Sequence, residues 1–248
     1  NIARSDSREI VLTGVNIGDF GKDSKETLFD LVQQLDLLED IDRFRISSIE
    51  PNLLTNDIIE FSSTSKKFMP HFHIPLQSGS DKILSKMRRR YTADLFMDRV
   101  LKIKNKIPHA SIGVDIIAGF PTETDADFLT TYNFINSLDI SYLHVFTYSE
   151  RANTDSINYE QIVPKPTRAK RSKMFQILSS KKNRYFNDQF INQIRPVLYE
   201  SIKNGQLIGH TDNYIEVRSD IKPQLINTIQ NVKLYKNYGE YVEGRIIS

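Results

Sequence analysis

Polar side chains that could bind or activate a ligand recur where short apolar segments end. The groups that follow five successive segments are amides, hydroxyls, carboxylates and one guanidinium: Asn16, Ser48, Glu50, Gln77, Ser78, Asp115, Glu123, Tyr148 and Arg151. Each of these residues, taken alone, is equally explained as a polar residue that stabilises a turn or caps a helix. Their recurrence favours a shared site for a ligand with amine, carboxylate and hydroxyl groups.

Two further sequence features bear on which ligands the chain could bind. The turn Gly119-Phe120-Pro121-Thr122-Glu123 is not a Walker phosphate loop, because the Gly-Lys-Ser/Thr ending is missing. Its glycine permits either a sharp turn or a close approach of backbone to a ligand. His71 and His73 alternate along one segment and suit a structural role better than metal ligation, since no third ligand with suitable spacing is evident. We therefore predict no metal site.

Basic residues cluster in two places. Residues 165–184 contain eight basic and no acidic side chains, and Arg88-Arg89-Arg90 precedes Tyr91. Such runs suit phosphate contacts and base stacking, although a solvated helix face or favourable helix-dipole contacts would also account for them. The predicted RNA contacts are Arg88, Arg89, Arg90, Lys170, Arg171, Lys181, Lys182 and Arg184.

The elements that must position these groups follow from hydrophobic periodicity. Apolar segments at 9–13, 43–49, 71–75, 112–118 and 141–147 are each followed by helical or turn patterns. Predicted helix starts are Ser24, Asn56, Ser80, Thr92 and Thr124. Repeated strand and helix units indicate an α/β fold with a parallel sheet, best described as a partial (β/α) barrel. The carboxyl ends of its strands would form one mouth.

The pattern of polar and apolar residues changes after residue 150. A polar connection leads into a basic helix over 167–193, and from Arg195 onward the apolar pattern has a period of two. Five short segments there predict a small antiparallel β-barrel that presents RNA beside the mouth. The expected domains are a barrel over 1–163, a linker helix over 164–193 and a small β-barrel over 194–248.

Composition limits the class of protein. With 39% hydrophobic and 26% charged residues, the 248-residue chain has the profile of a folded, water-soluble protein. No apolar run is long enough to cross a membrane, so a cytoplasmic location is expected. The absence of cysteine excludes disulfides, thiolate metal sites and cysteine nucleophiles. Because Asn1 stands just before the first strand, we expect the natural beginning to lie upstream.

Several motifs in order resemble the radical S-adenosylmethionine methylthiotransferases. They are His73-Ile-Pro-Leu-Gln-Ser-Gly-Ser80, Met87-Arg-Arg-Arg-Tyr-Thr92, Gly113-Val-Asp-Ile-Ile-Ala-Gly-Phe-Pro-Thr-Glu123 and Tyr142-Leu-His-Val-Phe-Thr-Tyr-Ser149. The small β-barrel resembles the RNA-binding TRAM domain of that family. Ser47-Ser-Ile-Glu-Pro51 and Tyr142-Leu-His-Val-Phe146 resemble the branch that acts on threonylcarbamoyladenosine in tRNA.

The resemblance implies an enzyme that adds a methylthio group at C2 of threonylcarbamoyladenosine 37, in the anticodon stem-loop. It implies S-adenosylmethionine and 4Fe-4S clusters as cofactors, and leaves the sulfur donor open. By the same resemblance, the residues around S-adenosylmethionine would be Gly14, Asn16, Ser48, Glu50, Gln77, Ser78, Asp115, Gly119, Phe120 and Glu123.

The chain departs from the family pattern in three places. The family's cluster-binding cysteines are absent, so we expect a downstream portion of the enzyme that is inactive alone, without the first barrel strand and the cluster loop. Thr122 stands where Pro-Gly-Glu is commoner, and Arg151-Ala-Asn-Thr154 replaces Arg-Pro-Gly-Thr. Alternatives are a non-catalytic tRNA-binding module, a related enzyme acting on another adenosine or on a ribosomal protein, and a different radical or (β/α) enzyme.

Overall fold

The first part of the chain is built on a five-stranded parallel sheet. The computed structural model describes residues 6–14, 16–151 and 154–247. The strands are β1 (Glu9–Leu12), β2 (Arg43–Ile46), β3 (Phe68–His73), β4 (Ser111–Ala118) and β5 (Tyr142–Thr147). Their order in the sheet equals their order in the chain, and all neighbours are parallel. The predicted α/β class with a partial barrel is confirmed.

Helices cover one face of this sheet. They are α1 (Leu28–Asp36), α2 (Asn56–Thr64), α3 (Asp81–Lys86), α4 (Ala93–Lys106) and α5 (Asp125–Ser137). Thr92 and Thr124 cap α4 and α5 as predicted. Thr27 and Thr55, rather than Ser24 and Asn56, cap α1 and α2.

The two faces of the sheet differ in polarity. Val114 and Ile116 of β4 are fully buried against the helices, whereas Asp115 and Ile117, which alternate with them, point to the opposite side. We call that opposite side the inner face. It carries ionisable or aromatic side chains from four strands: Arg43, Arg45, His71, His73, Asp115, Tyr142, His144 and Phe146. The β4 strand is therefore apolar toward the helices and partly polar toward the inner face.

Helix α6 (Lys165–Asp188) connects the two ends of the molecule. Near its start, Arg168 Nη1 donates to the Tyr148 carbonyl oxygen just beyond β5, at 3.0 Å. In its middle, the Leu143 amide of β5 donates to Ser179 Oγ at 2.8 Å. Near its end, Asn187 Nδ2 donates to the Gly239 carbonyl oxygen of the second unit at 3.1 Å. Its 24 residues span about 36 Å.

The second unit is a closed five-stranded barrel. Its strands are β6 (Ile194–Lys203), β7 (Gln206–Thr211), β8 (Glu216–Asp220), β9 (Thr228–Asn237) and β10 (Val242–Ile246). They close in the order β10-β8-β7-β6-β9 around a core that includes Tyr199, Val217 and Leu234. The β8 and β10 strands pair in parallel, so the barrel is mixed rather than antiparallel as predicted. Closure of the barrel leaves no exposed strand edge. The period-two alternation of the sequence does not indicate whether neighbouring strands pair in parallel or antiparallel.

The small barrel docks against the amino ends of the sheet strands. Arg43, the first residue of β2, donates to the Pro196 carbonyl oxygen at 2.9 Å. Arg45 donates to the carbonyl oxygens of Thr211 and Asp212 at 2.9 and 2.8 Å. The Tyr214 ring stacks on His71 with ring centroids 4.0 Å apart. The prediction that this barrel lies beside the carboxyl-end mouth is therefore wrong. No helix among the described ranges is both long and apolar enough to cross a membrane.

Candidate functional site

A cleft of about 340 Å³ opens at the carboxyl ends of β3, β4 and β5. We call it the carboxyl cleft. Its lining consists of Gln77, Arg89, Ile117, Phe120, Phe146, Thr147, Tyr148, Ser149, Arg151, Thr154 and Ser156. Five strand ends meeting at one edge were predicted, and this edge is where ligands bind in parallel α/β proteins.

Gln77 extends the sheet into the cleft. Its backbone amide donates to the Asp115 carbonyl oxygen at 2.8 Å, and its own carbonyl oxygen accepts from the Ile117 amide at 3.1 Å. Its φ of 68° lies in the left-handed region, which is uncommon for a residue with a side chain. Both hydrogen bonds join Gln77 to β4 and hold this conformation at the cleft.

Aromatic rings form one wall of the carboxyl cleft. Phe120 contacts Tyr148 and Tyr159 edge to face, with ring centroids 5.5 and 6.0 Å apart. Gly119 precedes it with a φ of 78°, and a side chain there would collide with Arg168. The turn therefore requires glycine for geometry and packing and places an aromatic surface suited to a flat ring.

Two predicted cofactor residues are engaged away from the cleft. The Glu123 carboxylate is buried and lies 2.5 Å from Arg171 Nη1, which fixes the start of α6 to the turn. Burial raises the pKa of Glu123 to about 6 against the lowering effect of Arg171. The buried Ser78 hydroxyl lies 3.2 Å from Thr131 Oγ1 of α5, on the helix side of the sheet. For Ser78 and Glu123 the structure differs from the prediction, because partners distant in sequence satisfy both groups.

The predicted residues from β1 and β2 lie at the same edge. Asn16 Nδ2 donates to Asp19 at 2.8 Å, while Asn16 Oδ1 is buried with no hydrogen-bond partner among the described residues. Glu50 forms an ion pair with Arg89 of the cleft at 2.8 Å. Ser48 is half-buried and Gly14 is exposed. An unpartnered buried oxygen and a partly accessible ion pair are features that a polar ligand could satisfy.

Below the cleft, the inner face brings together His73, Asp115 and His144. His73 Nε2 lies 2.9 Å from Asp115 Oδ1, and the His73 and His144 ring centroids are 5.1 Å apart in an edge-to-face arrangement. Asp115 was predicted as a cofactor residue. His144 was missed, although its alternation with Tyr142 and Phe146 along β5 was a signal that it shares their face.

Some of the predicted RNA-contact residues form ion pairs or hydrogen bonds within the protein, and others are exposed to solvent. Arg171 is buried between Glu123 and Asp125, so the prediction for it is wrong. Lys182 donates to the carbonyl oxygens of Asn136 and Leu138 at the end of α5, so it serves that helix end instead. Arg88 and Arg89 form ion pairs with Asp155 and Glu50. Exposed side chains remain at Arg90, Lys170, Lys181 and Arg184.

A basic and aromatic surface on the small barrel was missed at the sequence level. We call it the aromatic strip and define it as Tyr235, Tyr238, Tyr241, Arg218, Lys233, Lys236 and Arg245. The Tyr238 and Tyr241 rings stack with centroids 4.9 Å apart, and Arg218 Cζ lies 3.7 Å from the Tyr241 ring centroid. Tyr235 and Tyr238 are 39% and 43% exposed. Half-exposed tyrosines beside cations suit stacking with nucleic acid bases.

The residues fit the two implied cofactors differently. Iron–sulfur clusters are held mainly by cysteine thiolates, and the chain contains no cysteine, so its residues do not fit a cluster. S-adenosylmethionine is a better match. The aromatic wall at Phe120, the Glu50–Arg89 ion pair and the unpartnered Asn16 oxygen offer partners for a base and for an amino acid group.

Sequence comparisons agree with this fold. Residues 2–135 match the radical SAM superfamily, and the chain belongs to that family. It is 37% identical over 97% of its length to the threonylcarbamoyladenosine tRNA methylthiotransferase MtaB of Bacillus subtilis, and covers 55% of that protein. It is 31% identical over 96% of its length to the tRNA-2-methylthio-N(6)-dimethylallyladenosine synthase of Lachnoclostridium phytofermentans, and covers 54% of it.

A second MtaB relative, from Aquifex aeolicus, is 33% identical over 88% of the chain. The chain therefore spans about half the length of the curated relatives it matches. Among solved structures, Escherichia coli coproporphyrinogen III oxidase (HemN), a radical SAM enzyme, superimposes with a TM-score of 0.57 at 10% identity. That match covers 97% of this chain and 60% of HemN, and concerns the fold alone.

Proposed function

We propose that this chain forms the substrate-holding part of a tRNA methylthiotransferase. The observation that carries the proposal is the pairing of two surfaces in a radical SAM fold: a carboxyl cleft with aromatic and ionic groups, and an aromatic strip with exposed cations. The first suits S-adenosylmethionine and the second suits RNA. The proposed cytoplasmic location follows from a tRNA substrate.

In the cleft, we assign charged and aromatic side chains to the binding of S-adenosylmethionine and assign no residue to the chemical step. Arg89 and Glu50 present a cation and an anion 2.8 Å apart, which matches the carboxylate and ammonium of an amino acid. Phe120 and Tyr148 would pack against the adenine. When bound, S-adenosylmethionine supplies the methyl group and the radical chemistry. Asn16 and Gln77 would orient it through hydrogen bonds, and Ser48, Asp115 and Gly14 would lie nearby.

The proposed substrate is threonylcarbamoyladenosine 37 of the tRNA anticodon stem-loop, with a methylthio group added at C2. The Bacillus subtilis relative named for threonylcarbamoyladenosine is 37% identical, against 31% and 34% for two relatives named for dimethylallyladenosine, and this difference supports the choice. Mass spectrometry of tRNA nucleosides from cells lacking the gene tests it. Loss of the methylthio form of threonylcarbamoyladenosine is expected. Loss of the dimethylallyl form instead, or no change in tRNA, would contradict the substrate, and an altered ribosomal protein would indicate the protein substrate.

A second candidate is a tRNA-binding module without catalysis, favoured by the absence of cysteine ligands. Binding of tRNA by the 248-residue chain is expected under both candidates. The two are separated by expressing the natural coding sequence in the deletion strain. Restored methylthio nucleoside supports the enzyme, and tRNA binding without restoration supports the module.

A further inference from the structure

We propose that His73, Asp115 and His144 form a binding site for a divalent transition metal ion on the inner face of the sheet. One ligand atom from each residue lies within 4.8 Å of the other two. In a tetrahedral zinc site with bonds of about 2 Å, ligand atoms stand roughly 3.3 Å apart. Small side-chain rotations therefore suffice to close the three residues around an ion.

The ligand types match such an ion. Two imidazoles and one carboxylate are a common set for zinc and for non-haem iron, with the remaining positions open to water or substrate. His73 Nε2 and Asp115 Oδ1 are 2.9 Å apart, so two of the three ligand atoms already face each other.

The position is rigid at its base and accessible from the inner face. His73, Asp115 and His144 stand on three adjacent strands, and Asp115 pairs directly with His144 in the β4–β5 register. The His73 and Asp115 side chains are 18% and 15% exposed, and His144 is exposed. Residues on paired strands hold ligands more precisely than residues on loops. Solvent can supply the open coordination position from the His144 side.

The other histidines do not form such a group among the described residues. His71 Nε2 lies 2.8 Å from the Tyr142 hydroxyl and its ring is covered by Tyr214. His210 Nδ1 pairs with Glu200 on the small barrel at 3.1 Å. His109 is exposed and lies outside the three-residue group. The sequence prediction of no metal site rested on spacing along one strand, whereas these ligands come from three.

Titration of the purified 248-residue chain with zinc chloride tests the site. We expect saturable binding of one ion per chain, weakened at least tenfold by His144→Ala and by Asp115→Asn, and unchanged by His109→Ala. Circular dichroism of each variant checks that it is folded. No saturable binding in the parent chain, or equal affinity in His144→Ala, would overturn the proposal.

A cobalt experiment remains decisive if alanine variants fold poorly. The chain has no cysteine, so a thiolate introduced by His144→Cys would be the single thiolate present. With Co²⁺, we expect that variant to show a near-ultraviolet sulfur-to-cobalt charge-transfer band, and His109→Cys to show none. Absence of the band in folded His144→Cys, or equal bands in both variants, would show that residue 144 does not ligate the ion.

Discussion

At the residue scale, Thr122 has a conformation that its side chain disfavours. Its φ is 72°, and its amide donates to the Gln161 carbonyl oxygen at 2.7 Å, which holds the turn in place. A β-branched residue in the left-handed region is an outlier that costs about 1 to 2 kcal/mol. Glycine has no such cost, which explains physically why Pro-Gly-Glu suits this turn.

Replacing Thr122 by glycine should therefore stabilise the fold. Removal of the backbone strain outweighs the greater unfolded-state entropy of glycine, for a net gain of about 1 kcal/mol in the free energy of unfolding. Urea denaturation measures the change. The matched control is Thr130→Gly in an exposed position of α5, which should lose about 0.3 kcal/mol because glycine is a somewhat poorer helix former than threonine. A loss of stability in Thr122→Gly would contradict the strain.

Asp127 gives a pH-dependent prediction. Burial acts to raise the pKa of Asp127, but hydrogen bonds from Thr124, Lys82 and Ser80 hold it well below its usual range. Because the pKa of this carboxyl is lower in the folded than in the unfolded state, its ionised form stabilises the protein at pH values above about 4, the pKa in the unfolded state. This contribution is lost as pH falls toward the folded pKa.

We expect Asp127→Asn to lose about 1 to 2 kcal/mol of stability at pH 7, with the difference from the parent shrinking below pH 4. Urea denaturation at several pH values measures it. Asp30→Asn is the matched control, because Asp30 occupies the same capping-box position in α1 but is exposed and has no partner equivalent to Ser80. A difference that grows at low pH would refute the assignment.

Local chemistry was predictable from sequence where the partners are close in the chain. The helix start at Thr124 was predicted, and the partner that forms its capping box, Asp127, lies only three residues away. Arg171 and Lys182 were predicted as RNA contacts, but the sequence did not reveal their partners in the fold, Glu123 and the end of α5, which lie more than forty residues upstream. A count of positive charges cannot distinguish a solvated cation from one committed to a distant partner.

At the element scale, β9 presents two cations of the aromatic strip. Lys233 and Lys236 lie over the Tyr235 and Tyr238 rings at 5.5 and 4.7 Å, and no ion pair joins either lysine to a carboxylate of the described residues. Each phosphate contact releases counterions, so removing cations reduces the salt dependence of RNA binding.

We expect the double variant Lys233→Ala/Lys236→Ala to bind tRNA more weakly and to lower the magnitude of the salt slope by about 1 to 2. Binding measured across a range of salt concentrations tests this. Lys25→Ala/Lys66→Ala removes the same charge from exposed positions of the other unit and should leave the slope unchanged. Equal slopes in the parent and the β9 variant would refute a role for the strip.

Elements were predicted well where their pattern is local. The period-two alternation located all five strands of the small barrel, and the apolar segments located all five strands of the sheet. The parallel β8–β10 pair was missed because side-chain alternation is the same for either pairing direction. The aromatic strip was missed because its members come from β8, β9 and β10 and the turn between β9 and β10.

At the scale of the whole molecule, Arg45 joins the two units. It is 2% exposed, lies 2.7 Å from Glu9 and donates to two carbonyl oxygens of the small barrel. Without it, Glu9 would lose its closest cation and two carbonyl groups would lose their donors. Breaking a buried ion pair on one side costs about 3 to 5 kcal/mol.

We therefore expect Arg45→Ala to destabilise the chain by that amount and to separate thermal unfolding into two transitions, one for each unit. Calorimetry measures both effects. Arg8→Ala removes an exposed ion pair with Asp42 and should cost less than about 1 kcal/mol in a single transition. A single transition with small loss in Arg45→Ala would show that other contacts join the units.

The relative placement of the units could not be predicted from sequence. Periodicity fixes which residues of a strand share a face, but docking depends on buried arginines and on Tyr214, whose partners are spread over β3, β6 and β7. A compact β module next to the mouth was a reasonable expectation from function. In the observed placement, carbonyl groups of the barrel accept hydrogen bonds from Arg43 and Arg45.

Because α6 contacts the sheet unit near its start and the small barrel near its end, its number of residues sets the spacing between the two units. Each added residue would lengthen the helix by about 1.5 Å and turn everything beyond it by about 100°. One insertion would thus rotate the small barrel off the arginines that seat it, whereas a loop would absorb the same change. Natural length differences between homologues should consequently avoid 165–188 and accumulate in the connections on either side.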